Sequence, residues 1–315
     1  MGSVTPSQDI VSAWNPKPSN WTSRTHSLID VIKDENTAWF FKHWPFPDEK
    51  AKKKFVDSRW DLLCSVWYPL SIDDRFVPTA RLIVILFYID DALEDLSFAD
   101  GEAYNNRLMD LALRKADHDA SIPLEYMWHD IWESMSALDA ELAEAVKEPV
   151  FVFLRATTDR ERGRKPTFGA YLKYREGDVG QQLLAALVRF SMGLHLTPEE
   201  FEAVGEIDRN SARHIGVVND IFSWEKEYRK SIETAEEGAI LSNAVQVFGD
   251  EVHIPYSGAK NVLLILSREW ENVHDELSQK LINNGASSDL QGYLKGLELV
   301  MSGNEYWSRR TPRYH

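Results

Sequence analysis

The stretch "VVNDIFSWEKE", residues 217–227, places Asn219, Ser223 and Glu227 four residues apart. On an α-helix each residue turns by about 100°, so these side chains fall within roughly 80° of one another on one face. All three carry oxygen donors: an amide, a hydroxyl and a carboxylate. The spacing therefore predicts a helix that presents a row of oxygen ligands to one side.

Helical periodicity dominates the rest of the 315-residue chain, and turn sequences such as "WPFPDE", "HLTPEE" and "NNGASSD" separate the helices. Neither a repeat nor a long linker divides it. The sequence therefore predicts one all-α domain over residues 26–315, preceded by a flexible N-terminal arm over residues 1–25. The predicted helices cover 26–43, 50–67, 78–96, 103–116, 124–146, 148–161, 167–194, 198–229, 234–247, 255–284 and 287–307.

The composition limits the class of protein. Hydrophobic residues make up 43% of the chain and charged residues 27%, as in a globular protein with a substantial core. The most apolar stretch, "ARLIVILFYI" at 80–89, is shorter than the roughly 18 residues of a membrane span, and the first residues lack the pattern of a signal peptide. We therefore expect a soluble cytoplasmic protein with no membrane partner, and the pattern leaves homo-oligomerisation open.

The net charge of −15 argues against nucleic acid as a partner. An anionic substrate therefore needs a local device, such as metal ions or a few focused Arg and Lys side chains. The single cysteine, Cys64, excludes an intrachain disulfide and a metal site built from several cysteines, and core packing is its expected role.

A second acidic stretch, "LFYIDDALEDLSF" at 86–98, directly follows a hydrophobic run. Such a cluster is commonly a solvated face. Here, however, Phe87 lies one turn before Asp90 and Asp91, so apolar side chains and carboxylates share a face, as in a pocket with a charged rim. Carboxylates at a helix C-terminus also repel one another and oppose the helix dipole, and a bound cation relieves that repulsion.

Oxygen ligands without Cys or His suit Mg²⁺ or Mn²⁺ rather than Zn²⁺. Because few protein ligands are available for each ion, phosphate oxygens must complete the coordination, which indicates a diphosphate substrate. Lys226, Arg175, Arg313 and Tyr314 are the candidate phosphate contacts, although an exposed salt bridge for Lys226 and a solvated basic tail are the ordinary alternatives.

The predicted helix at 167–194 contains Gly177 and Gly180, each of which costs about 1 kcal/mol relative to Ala. A tolerated kink explains them, and so does a deliberate helix break beside Arg175 that faces a cavity. Both interpretations remain open. Aromatic side chains are abundant, and their faces stabilise a cation without offering it a nucleophile.

Together these motifs resemble those of class I terpene cyclases: "DDALED" matches the aspartate-rich motif, and "NDIFSWEKE" matches N-D-x-x-S-x-x-x-E about 130 residues later. Further stretches, including "HWPFPDEKAKKKF", "EPVFVFLRATTDR" and "SGNEYWSRRTPRY", are similar to fungal aristolochene synthases. The resemblance covers residues 26–314. It implies a single-domain helical bundle around a central active-site cavity, with three Mg²⁺ ions and farnesyl diphosphate as cofactors and substrate.

The resemblance also implies roles for residues. Asp90 binds two metal ions, while Asn219, Ser223 and Glu227 hold the third; Asp91 and Glu94 support the metal site indirectly. The remaining assignments group by role: Arg175, Lys226, Arg313 and Tyr314 for the diphosphate; Trp67, Phe87, Phe153, Asn304, Trp307 and Ser308 for the carbocation pocket; Gly177, Asp178 and Gly180 for the helix break.

The implied reaction ionises farnesyl diphosphate, releases diphosphate and cyclises the cation, through germacrene A to a bicyclic eremophilane such as aristolochene. One position departs from the family: "VWYP" stands where the family reads "LYFP", so Trp67 replaces a pocket tyrosine. Indole is bulkier and has no phenolic hydroxyl. A different mono- or bicyclic product is therefore the alternative.

Two other interpretations compete. A trans-prenyltransferase shares the helical fold, but it carries a second aspartate-rich motif where this chain has Asn219, Ser223 and Glu227. A noncatalytic helical binding protein is the alternative from another class, and it predicts a broken metal motif. Both metal motifs are complete here, which favours a cyclase.

Overall fold

The computed structural model describes residues 18–93, 95–159, 167–178, 180–233 and 241–314, although it leaves the side chains of residues 177 and 178 undescribed. Over these ranges the chain is helical and contains no strand, as predicted. The helices are α1 Ile29–His43, α2 Glu49–Asp57, α3 Trp60–Trp67, α4 Asp73–Leu93, α5 Phe98–Ala112, α6 Pro123–Leu138, α7 Ala140–Thr157, α8 Phe168–Asp178, α9 Gln181–Met192, α10 Pro198–Glu233, α11 Ala244–Val252, α12 Tyr256–Asn283 and α13 Ser288–Ser308, followed by a 3-10 turn at Pro312–Tyr314.

The longest helix, α10, has 36 residues and is therefore about 54 Å long. It packs against α8, α9, α11, α12, α13 and the C-terminal turn. Helix α4 contacts α1, α3, α6 and α9. The C-terminal end of α4 carries Asp90, and the C-terminal half of α10 carries Asn219 and Glu227; the bundle brings these three residues to one cavity.

Helix boundaries differ from the prediction where the local backbone overrides periodicity. The predicted helix 50–67 is two helices, because Arg59 adopts a left-handed conformation with φ 53°. The boundary expected near residue 147 lies instead at Asp139, whose carboxylate accepts a hydrogen bond from the backbone N–H of Leu142 and caps α7. Asp139 also pairs with Arg75, 3.1 Å away, which is a contact invisible to local sequence patterns.

A close backbone approach fixes α13 against α3. A side chain at Gly303 would place its Cβ 2.2 Å from the carbonyl oxygen of Val66 and 3.2 Å from the backbone nitrogen of Trp67. Only glycine allows this separation. Because Asn304 follows Gly303 and Trp67 follows Val66, the same contact sets the distance between the candidate pocket residues Asn304 and Trp67.

Residues 18–25 belong to the predicted flexible arm, yet they make specific contacts with the bundle. The indole N–H of Trp21 donates to Asp275, 3.1 Å away, and its ring packs edge-on against His274. The hydroxyl of Ser23 donates to the carbonyl of Ser302. Trp21 and Ser23 therefore contact α12 and α13, residues 1–17 lie outside the described part, and the flexibility expected of the arm over residues 1–25 stays a prediction.

Beneath this segment lies a buried ionic cluster. Arg268 is 1% exposed and donates to the carboxylates of Glu271 and Glu305, the latter at 2.5 Å. Arg309 also donates to Glu305, and His214 lies 3.5 Å from Glu271. The side chains of Glu271, Glu305 and His214 lie close enough together to hold a cation. The guanidinium of Arg268, however, already balances the negative charge of the two carboxylates.

His274 gives the fold a testable pH dependence. It is 2% exposed, and burial, aided by the charges of His214 and Lys295, lowers its pKa from 6.5 to about 4 although it bonds the carbonyl of Leu294. The unfolded chain takes up this proton near pH 6.5 and the folded chain only near 4, so stability is lost as the pH falls through that interval.

We expect this group alone to remove roughly 3 kcal/mol between pH 7 and pH 4. His274→Gln keeps a donor for the carbonyl of Leu294 but cannot be protonated, so its free energy of unfolding should fall less steeply with pH. Urea unfolding at pH 7, 6 and 5 measures both slopes. Parallel curves for the two proteins would show that His274 contributes nothing to acid sensitivity.

Within the described ranges, none of the helices is long and apolar enough to cross a membrane.

Candidate active site

A cavity lies between α3, α4, α7, α8, α9, α10 and α13. Its volume is about 140 Å³, enough for a ligand rather than a single water. One end is apolar and the other carries charged and amide groups. The apolar wall comprises Trp67, Ile83, Leu86, Phe87, Phe153, Leu183, Leu184 and Ile215; the polar lining comprises Asp90, Thr157, Arg175, Asn219, Glu227 and Asn304.

The oxygen face predicted on α10 is present. Asn219 and Glu227 line the cavity, and Ser223 is buried one turn from each. The Ser223 hydroxyl has no hydrogen-bond partner among the residues that the structure describes. A buried hydroxyl without a partner is costly, and a cation held between an amide oxygen and a carboxylate would satisfy it. The donor set therefore fits a hard divalent metal ion.

Asp90 and Asp91, at the C-terminal end of α4, have different surroundings. Asp90 lines the cavity opposite Asn219 and Glu227. Asp91 instead receives two hydrogen bonds from Arg313, at 2.6 and 2.8 Å, and lies 3.5 Å from Lys226. Burial opposes the charge of Asp91, but Arg313 and Lys226 overcome it and lower its pKa to about 2.

Glu94, the third predicted member of the acidic motif, lies outside the described residues, so its expected supporting role stays a prediction. Asp95 lies in the turn after α4, where its exposed side chain pairs with Lys230, 2.8 Å away.

The candidate diphosphate contacts gather at the polar part of the cavity lining, the rim, which includes Asp90, Asn219, Glu227 and Arg175. Arg175 lines the cavity, donates to Asp220 at 2.8 Å and reaches the amide oxygen of Asn219 at 3.3 Å. Tyr314 accepts a hydrogen bond from the amide of Asn219 at 2.9 Å. The C-terminal turn therefore folds over the site, and the solvated-tail alternative does not apply to Arg313 and Tyr314.

Two pKa values reflect the charge at this rim. Burial raises the pKa of Tyr314 to about 12, and the carboxylates of Glu227 and Asp90 act in the same direction. Burial would lower the pKa of Arg313, but Asp91 raises it, so the guanidinium remains charged. The rim thus keeps a neutral phenol and a fixed positive charge side by side.

The predicted helix 167–194 breaks between α8, which ends at Asp178, and α9, which begins at Gln181. Gly180 has φ 72°, a conformation that favours glycine, and an added Cβ would lie 3.1 Å from the ring of Phe153. Gly180 itself lines the cavity. Of the two interpretations, a break facing a cavity fits the geometry; the side chains of residues 177 and 178 are outside the described part.

Three of the predicted pocket aromatics, Trp67, Phe87 and Phe153, line the cavity. Trp307 is 1% exposed and packs against Phe87, with ring centroids 6.2 Å apart. Its place in the carbocation pocket stays a prediction.

The two polar residues beside Trp307 also differ. Asn304 lines the cavity, and its amide donates to the carbonyl of Ile215 at 3.2 Å. Ser308 is fully buried, and its hydroxyl has no partner among the described residues.

Sequence reasoning missed a set of supporting residues. Asp220 is fully buried and holds Arg175, and Tyr171 donates to the same carboxylate. Asn243, also fully buried, donates to Glu227 at 3.0 Å. Asp220 is part of "VVNDIFSWEKE" and could have been noticed as the acid beside Asn219, but no local signal marks Asn243 or Tyr171.

Comparison with known proteins agrees with this geometry. The family described as "Terpene synthase family 2, C-terminal metal binding" matches residues 81–270. The chain is 46% identical over 304 residues to the aristolochene synthase of Aspergillus terreus, covering 96% of this chain and 95% of that protein. It is 45% identical over 302 residues to the aristolochene synthase of Penicillium roqueforti, covering 95% of this chain and 88% of that protein.

The crystal structure of the Penicillium roqueforti enzyme superposes with a TM-score of 0.85 at 44% identity, covering 94% of this chain and all of that one. The chain belongs to the terpene synthase family. The predicted fold class and enzyme class are therefore confirmed, against both the prenyltransferase and the noncatalytic alternative. Membership of this family also implies the use of divalent metal.

Proposed function

We propose that this chain is a Mg²⁺-dependent sesquiterpene cyclase that ionises farnesyl diphosphate and cyclises the resulting cation, through germacrene A to a bicyclic eremophilane such as aristolochene. The observation that carries the proposal is one cavity whose aromatic wall ends at a rim of Asp90, Asn219, Glu227 and Arg175. Relatives 44–46% identical, each called an aristolochene synthase, support the product class.

The polar rim suits the leaving group. Arg175, Lys226 and Arg313 supply positive charge, and Tyr314 adds a phenolic donor, so a diphosphate finds hydrogen-bond donors on α8, on α10 and on the C-terminal turn. A guanidinium carries five N–H donors and can contact an anion while keeping its carboxylate partner. Asp91 would hold Arg313 in place before and after the diphosphate arrives.

Three Mg²⁺ ions are part of the proposal. Asp90 would hold two of them, and Asn219, Ser223 and Glu227 the third. Bound Mg²⁺ supplies Lewis-acid stabilisation of the departing diphosphate. The protein's own contribution is a fixed set of oxygens and donors that requires no rearrangement when charge develops.

The apolar end suits the hydrocarbon. Phe87 and Phe153 offer ring faces that stabilise a cation by about 0.5 to 2 kcal/mol each without forming a bond to it. Ile83, Leu184 and Ile215 complete a wall that excludes water. Such a wall protects a carbocation from early quenching and favours one folded conformer of the chain.

Trp67 is the residue with which we associate the choice of product. It is 5% exposed, lines the cavity, and its indole N–H has no hydrogen-bond partner in the described ranges. Trp67→Tyr reduces the bulk at this wall and adds a hydroxyl, so we expect the bicyclic share of the hydrocarbons to increase. Gas chromatography of the products measures that share.

Trp132→Tyr is a suitable control, because Trp132 is a buried residue of α6 that does not line the cavity. An unchanged mixture in Trp67→Tyr would exclude control by Trp67 and remove the reason for the alternative, which is a different mono- or bicyclic product.

Chain-length choice tests the substrate directly. Geranyl, farnesyl and geranylgeranyl diphosphate are each incubated separately with the protein and Mg²⁺. Diphosphate release and the products are followed for each substrate. The proposal predicts that farnesyl diphosphate has the highest kcat/KM. Preference for the longer substrate would replace the sesquiterpene assignment while leaving the terpene synthase family membership intact.

The partners in this proposal are farnesyl diphosphate and diphosphate, without nucleic acid or membrane. The net charge of −15 supports that choice, because anionic polymers and surfaces are repelled. A cytoplasmic location remains the expectation, and a homo-oligomer is compatible with every contact described above.

A further inference from the structure

The residues at the start of α11 contact Glu227, a candidate metal ligand, and Asp220, which holds the candidate diphosphate contact Arg175. Asn243 immediately precedes α11 and is fully buried. Its amide N–H group donates to the Glu227 carboxylate and to the backbone carbonyl of Asp220, both at 3.0 Å. Its amide oxygen accepts from the backbone N–H of Val245 at 2.9 Å and so caps the helix.

The next residue continues the connection. The backbone N–H of Ala244 donates to the Asp220 carboxylate at 3.0 Å. The same carboxylate receives Arg175 on its other oxygen, and the hydroxyl of Tyr171, from α8, also donates to it. Three helices therefore meet at one buried carboxylate, with the candidate metal ligand Glu227 on one side and the candidate diphosphate contact Arg175 on the other.

We propose that Asn243, at the start of α11, and Asp220, on α10, form a bracket that positions Glu227 for metal and Arg175 for diphosphate. The inference rests on the proposed function, since it assigns an indirect role toward the same metal and diphosphate. Asn243 and Asp220 are positioning residues, because in the structure neither lines the cavity.

The chemistry of each bracket residue suits its task. Asn243 donates a neutral N–H group to Glu227, which fixes the carboxylate without neutralising the charge that attracts a cation. A lysine there would compete with the metal ion. The Asp220 carboxylate accepts a charge-assisted hydrogen bond from one terminal nitrogen of the Arg175 guanidinium. The amide oxygen of Asn219 accepts from the same nitrogen at 3.3 Å. Groups that orient metal ligands in this way commonly change metal affinity about 10- to 100-fold when removed.

The test measures binding as well as turnover. Isothermal titration calorimetry with inorganic diphosphate at fixed Mg²⁺ gives the affinity of the full-length protein, and Asn243→Ser is the main variant. Serine retains the helix cap but is too short to bond Glu227. We expect the affinity to fall about 10- to 100-fold in a protein that still folds cooperatively, with a melting temperature lowered by the loss of two buried hydrogen bonds. Ser97→Ala, which removes the cap of α5 away from the cavity, should leave the affinity unchanged.

A double-mutant cycle asks whether Asn243 acts through Glu227. In the Glu227→Gln background, Asn243→Ser should change the affinity by less than about threefold, because the group it positions has already been altered. Equal effects in both backgrounds would overturn the positioning role.

Tyr171→Phe provides a second variant, which keeps the ring and removes the hydroxyl that donates to Asp220 and lies 3.4 Å from the carbonyl oxygen of Ser242. If Asn243→Ser does not fold, Tyr171→Phe should still weaken diphosphate binding by severalfold. Wild-type affinity in the folded variants would overturn the bracket, provided that the wild type itself binds diphosphate with Mg²⁺. A wild type that binds none would instead overturn the proposed function.

Discussion

Glu227→Gln should reduce turnover of farnesyl diphosphate by about a hundredfold or more while leaving the fold intact. Glu227 lines the cavity and is held by Asn243 at 3.0 Å. The amide of glutamine has nearly the same shape, so the helix and its packing persist. It loses the negative charge that holds a divalent ion, and the proposed third metal site is weakened with it.

Glu225→Gln is the matched control. Glu225 lies on the same helix two residues away, is half exposed and pairs with Lys260 at 2.7 Å on the outer surface. Its variant should keep wild-type turnover. Steady-state kinetics across a range of Mg²⁺ concentrations, with circular dichroism to verify folding, compares the two. Full activity in Glu227→Gln would remove Glu227 from the metal site.

Arg268→Leu should cost about 3 to 5 kcal/mol of stability, because it leaves two buried carboxylates without their main cation. Arg268 and Glu271 are each 1% exposed, and Glu305 is 6% exposed. Arg309 still contacts Glu305, which keeps the loss within this range rather than above it. The free energy of unfolding in urea at pH 7 measures the effect.

Arg114→Leu serves as the comparison, since Arg114 pairs with Glu133 at the surface and its side chain is 70% exposed. Its loss should cost less than about 1 kcal/mol. Similar values for both variants would mean that the cluster beneath residues 18–25 contributes no more than a surface pair.

The sequence predicts the parts of this protein that depend on local periodicity. The face of Asn219, Ser223 and Glu227 follows from four-residue spacing alone. The apolar run ending in Asp90 likewise placed a hydrophobic wall next to a carboxylate. Both faces border the cavity because two long helices bring them together, and that arrangement came from the family resemblance rather than from spacing.

Other features depend on contacts between distant residues and could not be predicted this way. The hydrogen bond from Asn243 to Glu227 joins different helices, and so does the donation of Tyr171 to Asp220. The contact between the rings of Trp307 and Phe87 likewise joins two helices that are far apart in sequence. The break at Asp139 depends partly on Arg75, which comes from another helix.

The positions of the charged groups also explain why neighbouring acids in one motif differ. Asp90 and Asp91 are adjacent, but successive helical residues point about 100° apart. Asp90 therefore reaches the cavity, while Asp91 meets Arg313 and Lys226. One motif thus supplies both a candidate metal ligand and an anchor for the C-terminal turn.

Product analysis of purified protein tests the central claim most directly. Farnesyl diphosphate is incubated with Mg²⁺, or with EDTA in its place, and the hydrocarbons are identified by gas chromatography with mass spectrometry. The proposed function predicts a cyclic sesquiterpene that forms only with metal, with a bicyclic eremophilane as the main product. Folded protein that forms no cyclic hydrocarbon from farnesyl diphosphate in the presence of Mg²⁺ would contradict it.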